Sequence, residues 1–283
     1  MILEQFDYVA PTSLSEAVDA LTDNPTASPL AGGDGLITLL KRGQVRPSLL
    51  VDLQNIQALR GVDLFGDGKL RIGAMTTLSA LLADPAVRLS HLPGALGDAV
   101  EVTGDPQARN RATVGGSLAA GHPGSDLAAA MLALAATANL VGPAGHRSVP
   151  VAVLFDVGGT GRLAQGELIV SIDLPPAEPG SGYERLADRA TLDAVCGVAA
   201  AVALAPGGTL ARCRVAVTGG TLFPCRLGAL ERSLVGAAIP VVVPPVTAAF
   251  VDDRRASAEY RAELTRVLAG RAVARAVTRA RSA

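Results

Sequence analysis

The chain has 283 residues, of which 49% are hydrophobic, so it is long enough for two or three modest domains, or one domain with a smaller appendage, and for a sizeable buried core. Its 25 basic and 26 acidic side chains leave a net charge of -1. This balance argues against nucleic acid or a membrane surface as a partner, because both select a basic excess. No apolar run reaches the roughly 18 residues of a spanning helix, and the N-terminal segment lacks the pattern of a secretory signal. We therefore expect a soluble, cytoplasmic protein.

Cysteine and histidine are rare and scattered, with three of each in the chain. No two cysteines form a C-x-x-C pair, and an odd number suits a reducing compartment. A [2Fe–2S] cluster needs four ligands, normally thiolates, which this set does not supply. We expect no metal on this chain and interpret the cysteines as small buried apolar residues: Cys196, Cys213 and Cys225.

The first 57 residues predict a small α/β unit with a glycine turn between a strand and a helix. Ser13 and Glu16 have the spacing of a capping box, which marks the start of a helix. The predicted elements are a helix from there to about Leu21, strands at 27–31 and Leu49–Asp52, and a helix at 36–41.

Residues 58–176 predict a second α/β unit. Leu70–Gly73 is a strand candidate, and a helical region extends from Thr77 to about Thr103. Pro85 and Pro93 should interrupt that region, because proline removes a backbone donor. A polar, glycine-bearing stretch follows at 104–126, and then a helix at 127–136 and strands near 139–141, 148–150 and 167–172.

Residues 177–283 predict a third unit. Prolines and glycines between positions 175 and 182 are typical of a linker or a long loop. The strands that follow come in succession, which indicates an antiparallel sheet. Strands are predicted at 182–186, 194–204 and 211–218, and helices at 226–234 and 257–281.

Two glycine pairs stand out, Gly32-Gly33 and Gly115-Gly116. Glycine permits positive φ and lets a ligand approach its N–H group, and successive amides form a concavity that binds anions. Two such loops could hold the two phosphates of a dinucleotide, although a glycine pair alone is more often a plain turn. Neither loop has the glycine spacing of a P-loop or of a Rossmann site.

The sequence around the second glycine pair is more specific. GDPQARNRATVGGS, from Gly104 to Ser117, precedes HPGSD, which ends at Asp126. This block closely resembles the FAD-binding medium subunit of the molybdenum hydroxylases, the group of xanthine, carbon monoxide and nicotine dehydrogenases. AGGDGL, beginning at Ala31, is similar to the first flavin loop of that family, and DRRASAEYR, beginning at Asp253, is similar to its tail motif. The resemblance runs the length of the chain.

The resemblance implies an α+β fold. Two α/β lobes would form the vanillyl-alcohol-oxidase-like (PCMH-type) FAD-binding fold, followed by a C-terminal domain with a three-stranded antiparallel sheet and helices. The corresponding ranges are 1–57 for lobe 1, 58–176 for lobe 2 and 177–283 for the C-terminal domain. FAD should be noncovalent, because neither glycine loop contains histidine or cysteine.

The resemblance also implies an electron-transfer role with no catalytic residue in this chain. A small partner subunit with [2Fe–2S] clusters would pass electrons to FAD, which delivers them to an external acceptor. A large partner subunit would carry the molybdenum cofactor and hydroxylate the substrate, in a dimer of heterotrimers. Two alternatives stay open: a free-standing flavoprotein oxidoreductase, and a structural subunit whose flavin site has decayed.

The resemblance assigns cofactor-binding roles to residues of both glycine loops. Both pairs should present bare main-chain amides to one diphosphate. The hydroxyl of Thr113 would be a further contact, and the second pair would leave room for the diphosphate or the ribityl chain. The predicted residues are Ala31, Gly32, Gly33, Asp34 and Gly35 in the first loop, and Thr113, Val114, Gly115, Gly116 and Ser117 in the second.

Three loop positions need comment. Gly35 stands where the family usually has Ser, Asp or Glu, and Ser117 stands where it usually has Asn, so each change removes a side-chain contact. These departures keep the decayed-site alternative open. A diphosphate would repel Asp34 unless its carboxylate points away, so we interpret Asp34 as the N-cap of the helix that follows.

Asp126 and Arg189 complete the predicted cofactor-binding set. Asp126 matches an acidic residue that contacts the polar middle of the flavin, with a helix N-cap as the structural alternative. Arg189 matches a loop that approaches the isoalloxazine, where a cation would stabilise the anionic reduced form, or it is a surface arginine. Arg109 and Arg111 should fix the loop or face a partner subunit. Tyr183 could pack near the flavin, but we favour a core or strand tyrosine.

Overall fold

The computed structural model describes residues 4–85, 87, 94–155, 163–176, 180–188 and 193–282. Within these ranges three β-sheets are packed with helices, in agreement with the predicted α+β class. No helix in the described part of the chain is both long enough and apolar enough to cross a membrane.

The N-terminal sheet is parallel. Its strands are β1 (Asp7–Val9), β2 (Ser28–Leu30) and β3 (Leu49–Asp52), in the order β1-β3-β2. Helix α1 (Leu14–Asp23) begins where the capping box predicts, because the Ser13 hydroxyl accepts the N–H of Glu16. Helix α2 (Asp34–Lys41) follows β2 after a short glycine loop. The carboxyl end of β2 therefore opens directly onto this loop.

The middle sheet is antiparallel, with the order β4-β5-β8-β6-β7. Its strands are β4 (Val62–Leu64), β5 (Leu70–Gly73), β6 (Thr137–Gly142), β7 (Gly145–Pro150) and β8 (Leu168–Leu174). Among the described residues between β5 and β6 we number the helices α3 (Leu78–Ala83), α4 (Gly94–Val102), α5 (Pro106–Arg111), α6 (Val114–Ala119) and α7 (Asp126–Ala133). Short 3₁₀ helices lie at Gln57–Leu59 and Val151–Phe155.

Helices α5 and α6 lie in the stretch that the sequence marks only as polar and glycine-bearing. Each has six residues, which is too short to show a helical period. Both begin at a side-chain cap, because Asp105 accepts the N–H of Ala108 and Thr113 accepts the N–H of Gly116. Local capping therefore makes helices where apolar periodicity gives no signal.

The third sheet is antiparallel, with the order β12-β11-β10-β9. Its strands are β9 (Gly180–Leu186), β10 (Cys196–Leu204), β11 (Leu210–Thr218) and the two-residue β12 (Cys225–Arg226). The first three match the predicted three-stranded sheet, and β12 adds a short fourth strand. Helices α8 (Gly228–Leu234) and α9 (Ala258–Ser282) follow.

Strand β10 separates two hydrophobic cores, because successive side chains of a strand point to opposite faces. Val198 and Val202 pack with α9, while Ala199 and Ala201 join the core that contains α7. Cys196 and Cys213 are buried in the α9 core and Cys225 packs partly against it, as expected for apolar cysteines. The domain boundaries at 57 and 176 stay a prediction.

Asp173 on β8 ties two strands of the middle sheet together. Its register partner on β5, Arg71, makes two hydrogen bonds of 2.8 and 3.0 Å to its carboxylate, and Nζ of Lys69 lies 2.8 Å from Oδ2. Burial raises the pKa of Asp173, but the hydrogen bonds from Arg71 and Lys69 outweigh it and hold the pKa below its usual value. The fold therefore stabilises the ionised carboxylate.

We predict that Asp173→Asn lowers the free energy of unfolding by about 1–2 kcal/mol at pH 7, a range discounted because Arg71 and Lys69 are partly exposed. A lowered folded-state pKa contributes stability above the unfolded-state pKa of about 3.9, and this stability is lost as pH falls through the folded-state pKa. The difference between variant and parent should therefore shrink in acid. Urea unfolding at several pH values measures it, and a difference that is constant with pH would contradict the ionic origin.

Candidate functional site

The first glycine loop lies between the carboxyl end of β2 and the N-terminus of α2. Gly33 has a φ of +81°, a left-handed conformation that favours glycine and turns the chain into the helix. Among the described residues, no acceptor bonds the backbone N–H groups of Gly32, Gly33, Asp34 and Gly35. Free amides at a helix N-terminus, together with the helix dipole, form a site for an anion.

Asp34 does not cap α2, so the predicted capping role is wrong. The N-cap is Gly33, which has no side chain to bond, and Asp34 is already the first residue of the helix. The helix begins two residues before the predicted start, which moves Asp34 from the cap position into the first turn. Its carboxylate is exposed and accepts no hydrogen bond from the described part of the chain.

The second glycine loop forms the start of α6. Thr113 is its N-cap, and the Thr113 hydroxyl accepts the N–H of Gly116 at 3.2 Å. The N–H of Gly115 donates to the carbonyl of Ala74 at 2.8 Å. The expectation of bare amides is therefore wrong for this pair, because the protein itself uses both N–H groups to hold the loop.

The remaining second-loop residues have different surroundings. Val114 is fully buried in the core, and its N–H donates to the carbonyl of Thr76 at 3.0 Å. Ser117 is half-buried one turn along α6, with its N–H bonded to the carbonyl of Thr113 at 2.9 Å. The hydroxyl of Ser117 has no partner among the described residues, so it is free to meet a ligand.

The fold brings the two glycine loops into contact. A Cβ at Gly32 would lie 1.8 Å from the carbonyl oxygen of Arg111 and 3.2 Å from the Cα of Ala112, so only glycine allows this approach. The Arg111 Nε donates to the carbonyl of Gly32 at 3.1 Å, across 79 positions of sequence. A Cβ at Gly116 would lie 3.3 Å from that of Ala31. One surface therefore includes both predicted loops.

An open cleft of about 380 Å³ lies between α2 and α5, at the junction of the loops. Its charged groups are the Arg111 guanidinium and the carboxylates of Asp34 and Asp105. The lining residues are Gly32, Gly33, Asp34, Ile37 and Thr38 on one side, and Asp105, Gln107, Ala108 and Arg111 on the other. Free amides, a guanidinium and space for a ligand therefore meet at this cleft.

A smaller cavity of about 210 Å³ lies at the C-terminal end of α6. Its lining residues have apolar side chains or are glycine, with polar main-chain groups between them, and they come from four separate segments: Leu118, Ala119, Ala120 and Gly121, with Leu154, Leu163 and Phe223. Sequence reasoning missed this cavity, because no local pattern indicates that these segments meet. Helix α6 has six residues, so it spans about 9 Å between the glycine loops and this cavity.

Asp126 also is not the N-cap of its helix. Ser125 takes that role, and its hydroxyl accepts the N–H of Ala128 at 3.3 Å. The Asp126 carboxylate is instead buried against β9, where Oδ1 accepts the hydroxyl of Tyr183 and Oδ2 accepts Nη1 of Arg185 at 2.9 Å. The predicted capping alternative is therefore wrong, and the predicted contact with the flavin stays a prediction.

Burial and hydrogen bonding have opposite effects on the pKa of Asp126 in its contact with Tyr183 and Arg185. Burial raises the pKa of Asp126, while the hydrogen bond from Tyr183 and the charge of Arg185 lower it, and the net pKa is raised. Burial, followed by the charge of Asp126, raises the pKa of Tyr183 well above its usual value, so this hydroxyl stays protonated. Tyr183 is a buried strand residue, as predicted, and it donates to a carboxylate across two elements.

Of the two other arginines with a predicted role, the structure describes Arg109 but not Arg189. The Arg109 guanidinium donates to the carbonyls of Thr103 at 3.2 Å and Gly104 at 3.0 Å, so it fixes the loop before α5 as predicted. Arg189 lies outside the described residues, and its predicted role stays a prediction.

Comparison with known proteins identifies similar chains over the full length. The family described as the FAD binding domain in molybdopterin dehydrogenase matches residues 4–177. The carbon monoxide dehydrogenase medium chain of Afipia carboxidovorans is 34% identical, with 100% of each chain covered. The putative xanthine dehydrogenase FAD-binding subunit of Escherichia coli is 30% identical, with 96% of each chain covered.

Solved structures extend the similarity to three dimensions. A chain of reconstituted CO dehydrogenase from Oligotropha carboxidovorans superposes with a TM-score of 0.91 at 32% identity, covering 99% of this chain and 100% of the other. The fold class predicted from the sequence is thereby confirmed over almost the whole chain.

Proposed function

Because the chain belongs to the family of FAD-binding domains in molybdopterin dehydrogenases, we propose that it holds FAD at the two glycine loops and acts as an electron-transfer subunit. The family match confirms the resemblance drawn from the motifs and FAD as the family's cofactor. The finer proposal concerns which residues hold the cofactor and which subunits surround it.

The observation that carries the proposal is the set of free amides in the first loop. Gly32, Gly33, Asp34 and Gly35 offer N–H donors at a helix N-terminus, and the guanidinium of Arg111 lies in the same cleft. A diphosphate requires such donors, and a guanidinium suits its oxygens. The donor set of this cleft therefore fits the diphosphate of FAD.

The second loop supports that cleft by packing. Its amides hold α6 in place, while the hydroxyls of Thr113, which also caps α6, and of Ser117 would be the side-chain contacts of this loop with the ligand. The cavity at the other end of α6 suits a flavin ring better than it suits phosphates, because its lining side chains are all uncharged hydrocarbon and its polar surface is main chain. The proposed contacts also include Ala31, Val114, Gly115 and Gly116, together with Asp126 and Arg189.

When bound, FAD would supply a group that can take up electrons singly and release them in pairs, which joining one-electron clusters to a two-electron acceptor requires. The chain's own contribution is to bind the cofactor noncovalently, to keep its diphosphate on the amides of the first loop and to surround its ring with apolar side chains. No residue of this chain has to transfer a proton for this role.

The names of the relatives support a multi-subunit assembly, since one is a medium chain and another is an FAD-binding subunit. We propose a small [2Fe–2S] subunit and a large molybdopterin subunit as partners, in a cytoplasmic dimer of heterotrimers. Within this chain, lobe 1 (1–57) and lobe 2 (58–176) would hold FAD, and residues 177–283 would form the C-terminal domain.

We expect the purified full chain to bind FAD at one equivalent and to turn yellow. Because no covalent link is expected, acid or urea should release all of the flavin into the supernatant as FAD. Flavin fluorescence during titration gives the dissociation constant, and chromatography identifies the released cofactor. A folded, colourless protein that takes up no FAD would favour the decayed-site alternative. Copurification with iron–sulfur and molybdenum subunits would separate the proposal from a free-standing flavoprotein.

A further inference from the structure

A carboxylate lies where the proposed site receives its most negative ligand group. Asp34 is the first residue of α2, among the amides without acceptors, and it lines the cleft. Its side chain is exposed and accepts no hydrogen bond from the described part of the chain. The carboxylate is therefore a free negative charge at the N-terminus that would bind a diphosphate.

The other charged groups that line the cleft, Asp105 and Arg111, carry opposite charges and together do not neutralise the carboxylate of Asp34. Asp105 adds a second carboxylate, although its Oδ1 is used to cap α5 through the N–H of Ala108 at 2.7 Å. Arg111 supplies the cation of the lining, and its Nε already donates to the carbonyl of Gly32. Two carboxylates and one guanidinium leave the lining with one excess negative charge, which acts against the attraction of the free amides for a phosphorylated ligand without removing those donors.

We propose that Asp34 is an affinity-determining residue that weakens diphosphate binding by charge repulsion. The inference rests on the proposed FAD site and deepens it. The repulsion acts only on ligands that carry phosphate, and salt screens it because Asp34 is exposed. Removing the charge should therefore strengthen binding of FAD and leave a flavin without phosphate unaffected.

The test compares Asp34→Asn with the parent in the full chain, using FAD titration at low salt. Asparagine keeps the size and polarity of the side chain, so the exposed helix start should fold as before. We expect the dissociation constant for FAD to fall roughly three- to tenfold, the range for one exposed charge near a diphosphate. At about 1 M salt, where the Debye length is roughly 3 Å, the two proteins should converge. Riboflavin should bind both proteins equally.

Asp23→Asn is the matched control, because Asp23 is an exposed residue of α1 that does not line the cleft. It removes the same charge and should leave the dissociation constant unchanged. If Asp34→Asn and the parent bind FAD equally at low salt, the inference about Asp34 is overturned but the proposed FAD site is not. Weaker binding by the variant would also overturn it, since Asp34 would then be a ligand contact. If no protein binds FAD, the proposed function fails and the inference falls with it.

Discussion

A Gly32→Ala variant should lose at least about 90% of its affinity for FAD and part of its folding stability. The added Cβ would lie 1.8 Å from the carbonyl oxygen of Arg111, 2.6 Å from its carbonyl carbon and 3.2 Å from the Cα of Ala112. These are backbone atoms, so no side-chain rotation relieves the contact. The two glycine loops must therefore move apart.

The expected magnitudes follow from what this separation breaks. Overpacking of a close contact costs roughly 1–3 kcal/mol of folding stability. Moving the loops apart also breaks the hydrogen bond between Arg111 and the carbonyl of Gly32 and displaces the guanidinium from the cleft. If the displaced guanidinium loses one charge-assisted hydrogen bond to the diphosphate, worth about 1.5–3 kcal/mol, the dissociation constant for FAD rises at least roughly tenfold. Urea unfolding and FAD titration measure the two effects.

Gly97→Ala is the matched control for this substitution. A Cβ at Gly97 in α4 would meet no atom within 4 Å, and this position has no positive φ. Alanine should stabilise this helix by up to about 1 kcal/mol and leave FAD binding unchanged. A Gly32→Ala variant that binds FAD as tightly as the parent would remove the reason for assigning the cofactor to the junction of the loops.

The pairing of the two glycine loops could be predicted from sequence, but the state of their amides could not. Both loops belong to ordered motifs of one family, which explains why they share a surface. The bridge between Thr77 and Thr113, and the bond from Gly115 to Ala74, depend on how two distant segments pack. Only the folded chain distinguishes free donors in the first loop from bonded donors in the second.

Two capping predictions failed for one physical reason. The sequence favours Asp34 as an N-cap and offers that role to Asp126 as the alternative to a flavin contact, whereas the caps are the residues just before them, Gly33 and Ser125. Glycine, serine and aspartate all suit this position, so the residue type does not fix the boundary. A shift of one position turns a capping carboxylate into a free charge at Asp34 and into a buried ion-pair partner at Asp126.

The strands predicted with the observed bounds are those whose side chains are buried. Leu49–Asp52 is completely buried and Leu70–Gly73 largely so, and both were predicted with the observed bounds. Strands β1 and β4 were not predicted, because each has three residues that are mostly exposed and depends on pairing with a neighbour. Apolar patterning therefore located the central strands and one edge strand of each sheet, and missed the short strands at the other edge, β1, β4 and β12.

We expect Asp126→Ala to cause a large loss of stability, about 3 kcal/mol or more, because it breaks a buried ion pair. The side chains of Asp126 and Arg185 are only 4% and 9% exposed. Alanine removes the acceptor of the Tyr183 hydroxyl together with the carboxylate beside Arg185. The bonds between α7 and β9 at this point would be lost, so the middle helices and the C-terminal sheet should separate more easily.

Two milder variants distinguish the contributions of charge and hydrogen bonding. Asp126→Asn keeps an acceptor for Tyr183 and removes the charge, which burial already disfavours by raising the pKa of Asp126. We expect it to cost less than Asp126→Ala but still about 1.5–3 kcal/mol, because the buried Arg185 loses this counter-charge, while Tyr183→Phe should cost about 1 kcal/mol by removing one hydroxyl. Urea unfolding of the parent and the three variants gives these values directly.

The same variants separate a structural role of Asp126 from a contact with the cofactor. Both carboxylate oxygens accept hydrogen bonds from protein groups, so a ligand hydroxyl would have to share them or displace Tyr183. If Asp126 only joins α7 to β9, FAD affinity in folded Asp126→Asn should equal that of the parent. A higher dissociation constant for FAD in folded Asp126→Asn would instead support the predicted flavin contact. If Asp126→Ala unfolds at the same urea concentration as the parent, the ion pair does not stabilise the fold. Water would then satisfy Tyr183 and Arg185 as well as the carboxylate does.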